Sequence, residues 1–180
     1  MQRRIDTSIM KADKNVNETE IKVFPIDIDE YYDFLVAAHN ETFKLTFGSL
    51  ISEEFLNKEF VRTKQDSADD ANSVVGAFIG NEIVGHAVLE VNTRDDGSQF
   101  GWIHFYYVSP KSRRQGVGKS LVSYSIDYFS SLGLKEFFLR TGEFNTGAQS
   151  FYLNTGFTHL PEGDRKSLND VNELLMRYVI

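Results

Sequence analysis

Apolar positions recur along this chain at helical spacing in some segments and as strand-like runs in others, and their order predicts a mixed domain. Residues 29–40 carry apolar side chains at roughly helical spacing, and a second helix is expected after Ser52, whose hydroxyl can cap it. Residues 74–79 and 83–91 have the composition of strands, and the Gly80-Asn81 dipeptide between them is a hairpin signal. Two helices followed by an antiparallel strand pair are therefore predicted.

The second half of the chain continues the sheet and adds a crossover. An aromatic, β-prone run over residues 100–108 stops before Pro110, because proline has no N–H to give to a sheet. Apolar residues then recur at three- and four-residue steps over 117–132, and residues 137–140 have the pattern of another strand. A strand, helix and strand of this length form a βαβ unit, so the two strands are predicted to be parallel.

The bulk properties of the chain favour one soluble domain. The 180 residues fit a single core, and residues 1–20 are polar and unpatterned, so we expect a flexible arm or leader before a domain over residues 21–180. The absence of an 18-residue apolar run disfavours a membrane partner. The absence of cysteine excludes thiol nucleophiles and suits a cytoplasmic location.

Charge and histidine spacing narrow the classes of partner. A net charge of −7 disfavours nucleic acid as the main partner, because that binding depends on clustered lysine and arginine. The same charge suits a cationic substrate. His39, His86 and His159 do not have metal-ligand spacing, so no metal site is predicted.

A glycine-containing loop opens the predicted crossover helix. Residues 113–118 read Arg-Arg-Gln-Gly-Val-Gly, and backbone N–H groups at such a helix start can bind an anion. A P-loop NTPase motif requires glycine where this chain has Arg113, and the dinucleotide fingerprint requires glycine where it has Leu121. Neither nucleotide-binding motif is therefore present.

The remaining pattern, Arg-x-x-Gly-x-Gly after a strand, resembles that of the GNAT superfamily of acyl-CoA-dependent N-acetyltransferases. A downstream segment keeps the spacing Asn-x-x-Ala-x-x-x-Tyr-x-x-x-Gly-Phe of that family, with Asn145, Ala148, Tyr152, Gly156 and Phe157. Residues 173–176 resemble its closing strand. The resemblance implies an α+β fold in three layers, with a twisted, mostly antiparallel sheet flanked by helices and a central parallel strand pair splayed at the cofactor site.

The resemblance also assigns roles to residues of the two motifs. Acetyl-CoA is implied as co-substrate, with its arm pairing along the backbone near Val108 and contacting Asn145. The pyrophosphate is expected on the loop formed by Arg113, Arg114, Gln115, Gly116, Val117, Gly118 and Lys119. Tyr152 is expected to protonate the departing CoA thiolate, a chemically sensible role for a phenol.

The implied reaction is direct attack by a primary amine of a small molecule, peptide or protein on the thioester. The family has no fixed general base, and His104, Glu90 and Glu143 are candidates because they lie on or just after strands that border the expected cleft. Two other functional classes stay open. One is a catalytically silent CoA-binding sensor or interaction module, and the other is a partner-driven protein that forms a homodimer through its last strand.

Overall fold

A computed structural model describes residues 20–167 and 170–180. The predicted N-terminal arm lies outside the described residues except for its last residue. The helices are α1 (Tyr32–Phe47), α2 (Glu53–Asp69), α3 (Val117–Ser131) and α4 (Thr146–Asn154). The strands are β1 (Ile21–Pro25), β2 (Val74–Ile79), β3 (Glu82–Thr93), β4 (Gln99–Val108), β5 (Glu136–Gly142), β6 (Thr158–His159), β7 (Arg165–Lys166) and β8 (Asn172–Val179).

All of these strands join one sheet in the order β1-β2-β3-β4-β5-β8-β6, and β7 pairs with the remaining part of β8. Every neighbouring pair is antiparallel except β4 and β5, which are parallel. Helices α1 and α2 cover one face of the sheet, and α3 and α4 cover the other. The predicted three-layer fold with one parallel strand pair is confirmed.

Three short strands, β1, β6 and β7, were not predicted from the sequence. The edge strand β1 has only five residues, of which Ile21 and Val23 pack against one core cluster and Phe24 stacks on Phe78, and this is too short a run to give a clear pattern. Helix α2, which the sequence predicted only by its start after Ser52, runs to Asp69. Its exposed polar face needs no apolar repeat, and side-chain pairs such as Gln65 with Asp69 support its last turns. The hydroxyl of Ser52 caps its start, as predicted.

A β-bulge in β4 changes the face of the sheet on which the residues after it lie. Phe105 lies opposite Val88, and Ile103 lies opposite Leu89, so His104 is an extra residue without a partner across β3. Ile103 consequently packs with α3, whereas Phe105, two residues later, packs with α1 and α2. Strict alternation along the strand would place both residues on one face.

The parallel strands β4 and β5 are paired only at their beginnings. The two ladder positions are Gly101 with Phe137 and Trp102 with Phe138. Gly101 allows the close approach there, since an added Cβ would lie 2.7 Å from atoms of both Phe129 and Phe137. Beyond Trp102 the strands have no ladder between them, and the gap between their carboxyl ends is the splay that the resemblance implied.

The closing strand β8 is bonded along both edges, to β5 on one side and to β6 and β7 on the other. Met176 is buried in the core and Tyr178 packs against it. Met176 and Tyr178 therefore serve the interior of the domain, whereas Val179 and Ile180 are exposed, and a homodimer through this strand stays a prediction. Within the described ranges, no helix is long and apolar enough to cross a membrane.

Candidate active site

Two helices begin at the end of the sheet where β4 and β5 diverge. Helix α3 starts nine residues after the end of β4, and helix α4 starts four residues after the end of β5. The first N–H groups of a helix have no partner within the helix, and the helix dipole makes this end electropositive. Two helix N-termini beside one gap form an environment suited to an anionic ligand.

The loop before α3 turns through two left-handed residues, Arg114 with φ 65° and Gly116 with φ 96°. Gly116 precedes the first residue of the helix, and its backbone conformation is one that side-chain-bearing residues rarely adopt. At position 118, glycine is required for a different reason. An added Cβ there would lie 2.9 Å from Cζ of Phe151, so glycine allows α3 to pack closely on α4.

The side chains of this loop are not equally free. Arg113 donates from Nε to the Val108 carbonyl at 3.0 Å and from Nη2 to Glu41 Oε1 at 2.6 Å. Gln115 donates to the Lys111 carbonyl at 2.8 Å. Arg114 and Lys119 are exposed and form no ion pair with any other described residue. Both side chains therefore remain available to a ligand.

Glu41 was not identified from the sequence. Its carboxylate lies on α1, where it accepts hydrogen bonds from Arg113 and from the Tyr107 hydroxyl at 2.7 Å. Desolvation, followed by the bond to Glu41, raises the pKa of Tyr107. One acidic residue therefore connects α1, the end of β4 and the loop before α3.

Tyr152 is buried beside the part of β4 that does not pair with β5. Its ring lies 6.5 Å from that of Tyr106 and 5.3 Å from that of Phe157, centroid to centroid. Within the described part of the chain its hydroxyl makes no hydrogen bond. Burial raises the pKa of the phenol because desolvation disfavours the phenolate. Tyr152 is consequently a protonated, unused hydrogen-bond donor at neutral pH.

Asn145 lies at the start of α4, and its side chain caps the helix by accepting a hydrogen bond from the Ala148 N–H at 3.2 Å. Gln149, which the sequence did not single out, donates to the carbonyls of Gly142 and Glu143 at 2.9 Å each. These two side chains fix the connection between β5 and α4.

His104 lies at the bulge of β4 and faces α2. Its Nε2 is 2.6 Å from Glu59 Oε2, and its Nδ1 is 3.5 Å from Glu90 Oε1. Desolvation alone would raise the pKa of Glu59, but the hydrogen bond and charge of His104 and the charge of Arg62 lower it. Because the Glu59 carboxylate is ionised, it can only accept, so Nε2 must be the donor in this pair.

The other two base candidates have different surroundings. Glu90 lies 3.2 Å from Nη2 of Arg62 and belongs to the same charged cluster as His104. Glu143 instead accepts hydrogen bonds from the backbone and side-chain nitrogens of Asn172, which join the end of β5 to the start of β8. The structure therefore brings His104 and Glu90 together and separates Glu143 from them.

No group of three or more histidine, cysteine, aspartate or glutamate side chains in residues 20–167 and 170–180 could hold a metal ion. His86 is fully buried, and its Nδ1 lies 3.0 Å from the Val75 carbonyl. His39 is also buried and stacks on Phe105. Both rings are parts of the core.

Similar proteins share this fold and part of this sequence. The mycothiol acetyltransferase of Pseudarthrobacter chlorophenolicus is 31% identical over 98 residues, which are 54% of this chain and 30% of that protein. The chloroplastic GCN5-related N-acetyltransferase 6 of Arabidopsis thaliana is 24% identical over 98 residues, which are 54% of this chain and 34% of that protein. The matched stretch thus spans about a third of each curated relative.

Solved structures resemble nearly the whole described fold. The NatC complex bound to Gag peptide and CoA contains a chain with a TM-score of 0.67 and 19% identity, and the match covers 89% of this chain and 99% of that one. A ribosomal-protein-alanine N-acetyltransferase from Brucella melitensis has a TM-score of 0.66 and 15% identity, over 88% and 99% of the two chains. At these identities the likeness shows a shared fold.

The family assignment rests on the sequence itself. Residues 30–157 match the profile of the Acetyltransferase (GNAT) family. This range includes the loop before α3, the gap between β4 and β5, and the segment from Asn145 to Phe157. The resemblance found in the two motifs is confirmed, and the chain belongs to the GNAT acetyltransferase family.

Proposed function

We propose that this protein is an N-acetyltransferase that transfers the acetyl group of acetyl-CoA directly to a primary amine. The observation that carries the proposal is the buried Tyr152, whose hydroxyl has no partner in the described structure and which lies beside the diverging part of β4. Membership of the acetyltransferase family supports it. Two proteins of similar fold, the NatC complex and PaiA N-acetyltransferase from Thermoplasma acidophilum, have been crystallised with CoA.

The residues around the gap fit the parts of acetyl-CoA. The diphosphate would lie on the backbone N–H groups at the start of α3, over residues 116–119, with Arg114 and Lys119 adding positive charge. Gln115 and Val117 would contribute through the backbone of the same loop. The amide-containing arm would run along the unpaired edge of β4 near Val108 and reach Asn145.

Acetyl-CoA supplies an activated acetyl thioester, and the protein's own residues manage the protons. Tyr152 donates its phenolic proton to the sulfur as the C–S bond breaks, while the amine nitrogen forms the new bond to the acetyl carbon. Burial raises the pKa of the Tyr152 phenol. The difference between this pKa and that of a thiol is therefore larger than it would be for an exposed tyrosine. Proton donation therefore has to accompany bond breaking, because the phenol is a weak acid before charge develops on sulfur.

The attacking amine must lose a proton, and we assign its removal to His104. With Nε2 donating to Glu59, Nδ1 is the ring nitrogen left to accept that proton. Glu90, 3.5 Å from Nδ1, would stabilise the imidazolium that results. This arrangement makes Glu59 a positioning residue for the base.

The acceptor would enter on the opposite face of the sheet from α3, where α1 and α2 cover β4. A primary amine carried by a small molecule, a peptide or a protein fits this site, and the excess of acidic residues favours a cationic acceptor. Among proteins of similar fold, one structure holds a Gag peptide and another is a ribosomal-protein-alanine N-acetyltransferase.

The proposal is tested by measuring CoA release from acetyl-CoA with a panel of peptide N-termini, lysine peptides, polyamines and aromatic amines. Amine-dependent release together with a product heavier by one acetyl group would support it. Binding of acetyl-CoA without turnover for any amine would favour a catalytically silent CoA-binding module instead. Absence of both binding and turnover would contradict both functions.

A further inference from the structure

Thr141 has a buried hydroxyl that the fold does not use. The residue is 7% exposed, and its Oγ1 has no hydrogen-bond partner within residues 20–167 and 170–180. Another buried threonine, Thr63, donates its hydroxyl to the Glu59 carbonyl at 2.8 Å. A buried polar group without a partner is destabilising, so the unbonded hydroxyl of Thr141 requires a separate explanation.

Thr141 lies on the part of β5 that borders the gap between β4 and β5. It lies on β5 beyond Phe138, the last residue of that strand that pairs with β4. On its other edge it pairs with Leu174 of β8. At Thr141, the edge of β5 that faces β4 therefore has no partner strand and borders the gap.

Thr141 also lies on the same face of the sheet as Tyr152. Side chains alternate along a strand, so Thr141 shares a face with Phe137 and Leu139, which belong to the core cluster that includes Tyr152. Valine would fill this position in an apolar core with the same shape and no polar atom. Two hydroxyls without partners in the described structure, those of Thr141 and Tyr152, thus belong to the same face of the domain.

We propose that the Thr141 hydroxyl is a cofactor-binding group that hydrogen-bonds to the arm of acyl-CoA between the diphosphate and the sulfur. This inference rests on the proposed function and adds a contact that neither sequence motif contains. The arm carries amide and thioester groups, so it offers the acceptors and donors that the surrounding apolar side chains do not. The hydroxyl would be unpaired before binding and paired afterwards.

The test compares Thr141→Val, Thr141→Ser and the matched control Thr63→Val. Calorimetry with acetyl-CoA is expected to show Kd about three- to tenfold higher for Thr141→Val, as for one lost hydrogen bond, and near the wild-type value for Thr141→Ser. The fragment adenosine 3′,5′-bisphosphate, which lacks the arm, should bind equally to all of these proteins. Without ligand, Tm should be unchanged or higher for Thr141→Val but lower for Thr63→Val, which breaks an internal hydrogen bond.

Wild-type affinity for acetyl-CoA in Thr141→Val would overturn the assignment of this hydroxyl. A lower Tm of unliganded Thr141→Val with unchanged Kd would show instead that the hydroxyl has an internal partner. An equal loss of affinity for the fragment would mean that the substitution disturbs the loop before α3, and this would also overturn the assignment. Failure of the wild-type protein to bind acetyl-CoA would contradict the proposed function itself.

Discussion

The carboxylate of Glu41 on α1 accepts a hydrogen bond from Nη2 of Arg113 at 2.6 Å, and this contact joins helix α1 to the loop that opens α3. The same carboxylate accepts a bond from Tyr107 at 2.7 Å. Glu41→Gln is expected to lower the free energy of unfolding by about 1 kcal/mol, because the ion pair with Arg113 is lost and the hydrogen bond from the Tyr107 hydroxyl loses its charge assistance. Denaturant unfolding measures this change.

The matched control for Glu41 is Glu54→Gln, which removes an exposed carboxylate that pairs with Lys58 one helical turn away. Its effect should be close to zero. A double-mutant cycle with Tyr107→Phe should show coupling to Glu41. Equal effects of the two glutamine substitutions, or strict additivity with Tyr107→Phe, would contradict the structural role of Glu41.

Tyr152→Phe is expected to lower turnover by about 10²- to 10⁴-fold while leaving the Kd for acetyl-CoA nearly unchanged, because the phenol acts only as the C–S bond breaks. Steady-state kinetics and calorimetry measure the two quantities. Tyr124→Phe is a suitable control, since its hydroxyl bonds the Asn72 carbonyl away from the gap. Unchanged turnover in Tyr152→Phe would remove this residue from the mechanism.

Most of the fold could be predicted from the sequence because its elements carry local signals. The hairpin at Gly80-Asn81, the proline after β4 and the regular apolar spacing in α3 are such signals, and all three elements lie where they were expected. The splayed strand pair followed from the two motifs. Strand β1 could not be found, because it has five residues and its pairing with β2 is a tertiary property.

The candidate site was predictable only where a motif is contiguous. Contacts between distant segments left no local pattern: Glu41 is 72 residues from Arg113, and Glu59 is 45 residues from His104. The bulge at His104 was also hidden, because the alternation of apolar residues in β4 continues through it. Thr141 could not be singled out, because a threonine in a strand is ordinary and only its burial without a partner is informative.

The stability of the protein is expected to fall as pH drops below 6.5. Desolvation lowers the pKa of the fully buried His86 to about 3, so between pH 6.5 and 3 the unfolded chain binds a proton that the folded chain does not. From pH 6.5 to pH 5 this costs about 2 kcal/mol of unfolding free energy. The pKa of His39 is also lowered, mainly by desolvation, and adds in the same direction.

Denaturant unfolding at pH 7 and pH 5 tests this dependence. His86→Gln should be less stable at pH 7, because it disturbs the core, but it should lose less stability on going to pH 5. His159→Gln, at a ring near the surface that pairs with Asp164, serves as the control. A pH dependence for His86→Gln that equals that of the wild type would show that His86 is not the group responsible.

Gly101 is expected to be intolerant of a side chain because it lies at one of the two paired positions of β4 and β5, against buried aromatic rings. Gly101→Ala would place a Cβ 2.7 Å from fully buried Phe129 and Phe137, and the overpacking should cost about 1–3 kcal/mol of unfolding free energy. Gly147→Ala is the control, since a Cβ there meets no atom within 4 Å and alanine favours a helix. Equal Tm values for both variants would contradict the tight packing at Gly101.

The most direct measurement is calorimetric titration of the wild-type protein with acetyl-CoA, with ATP in parallel. The loop before α3 lacks the P-loop spacing, and the gap between β4 and β5 suits a cofactor with a long amide-containing arm. We therefore predict saturable binding of acetyl-CoA with one site per chain and much weaker binding of ATP. Absence of acetyl-CoA binding, or equal affinity for ATP, would contradict the central claim that this gap is an acyl-CoA site.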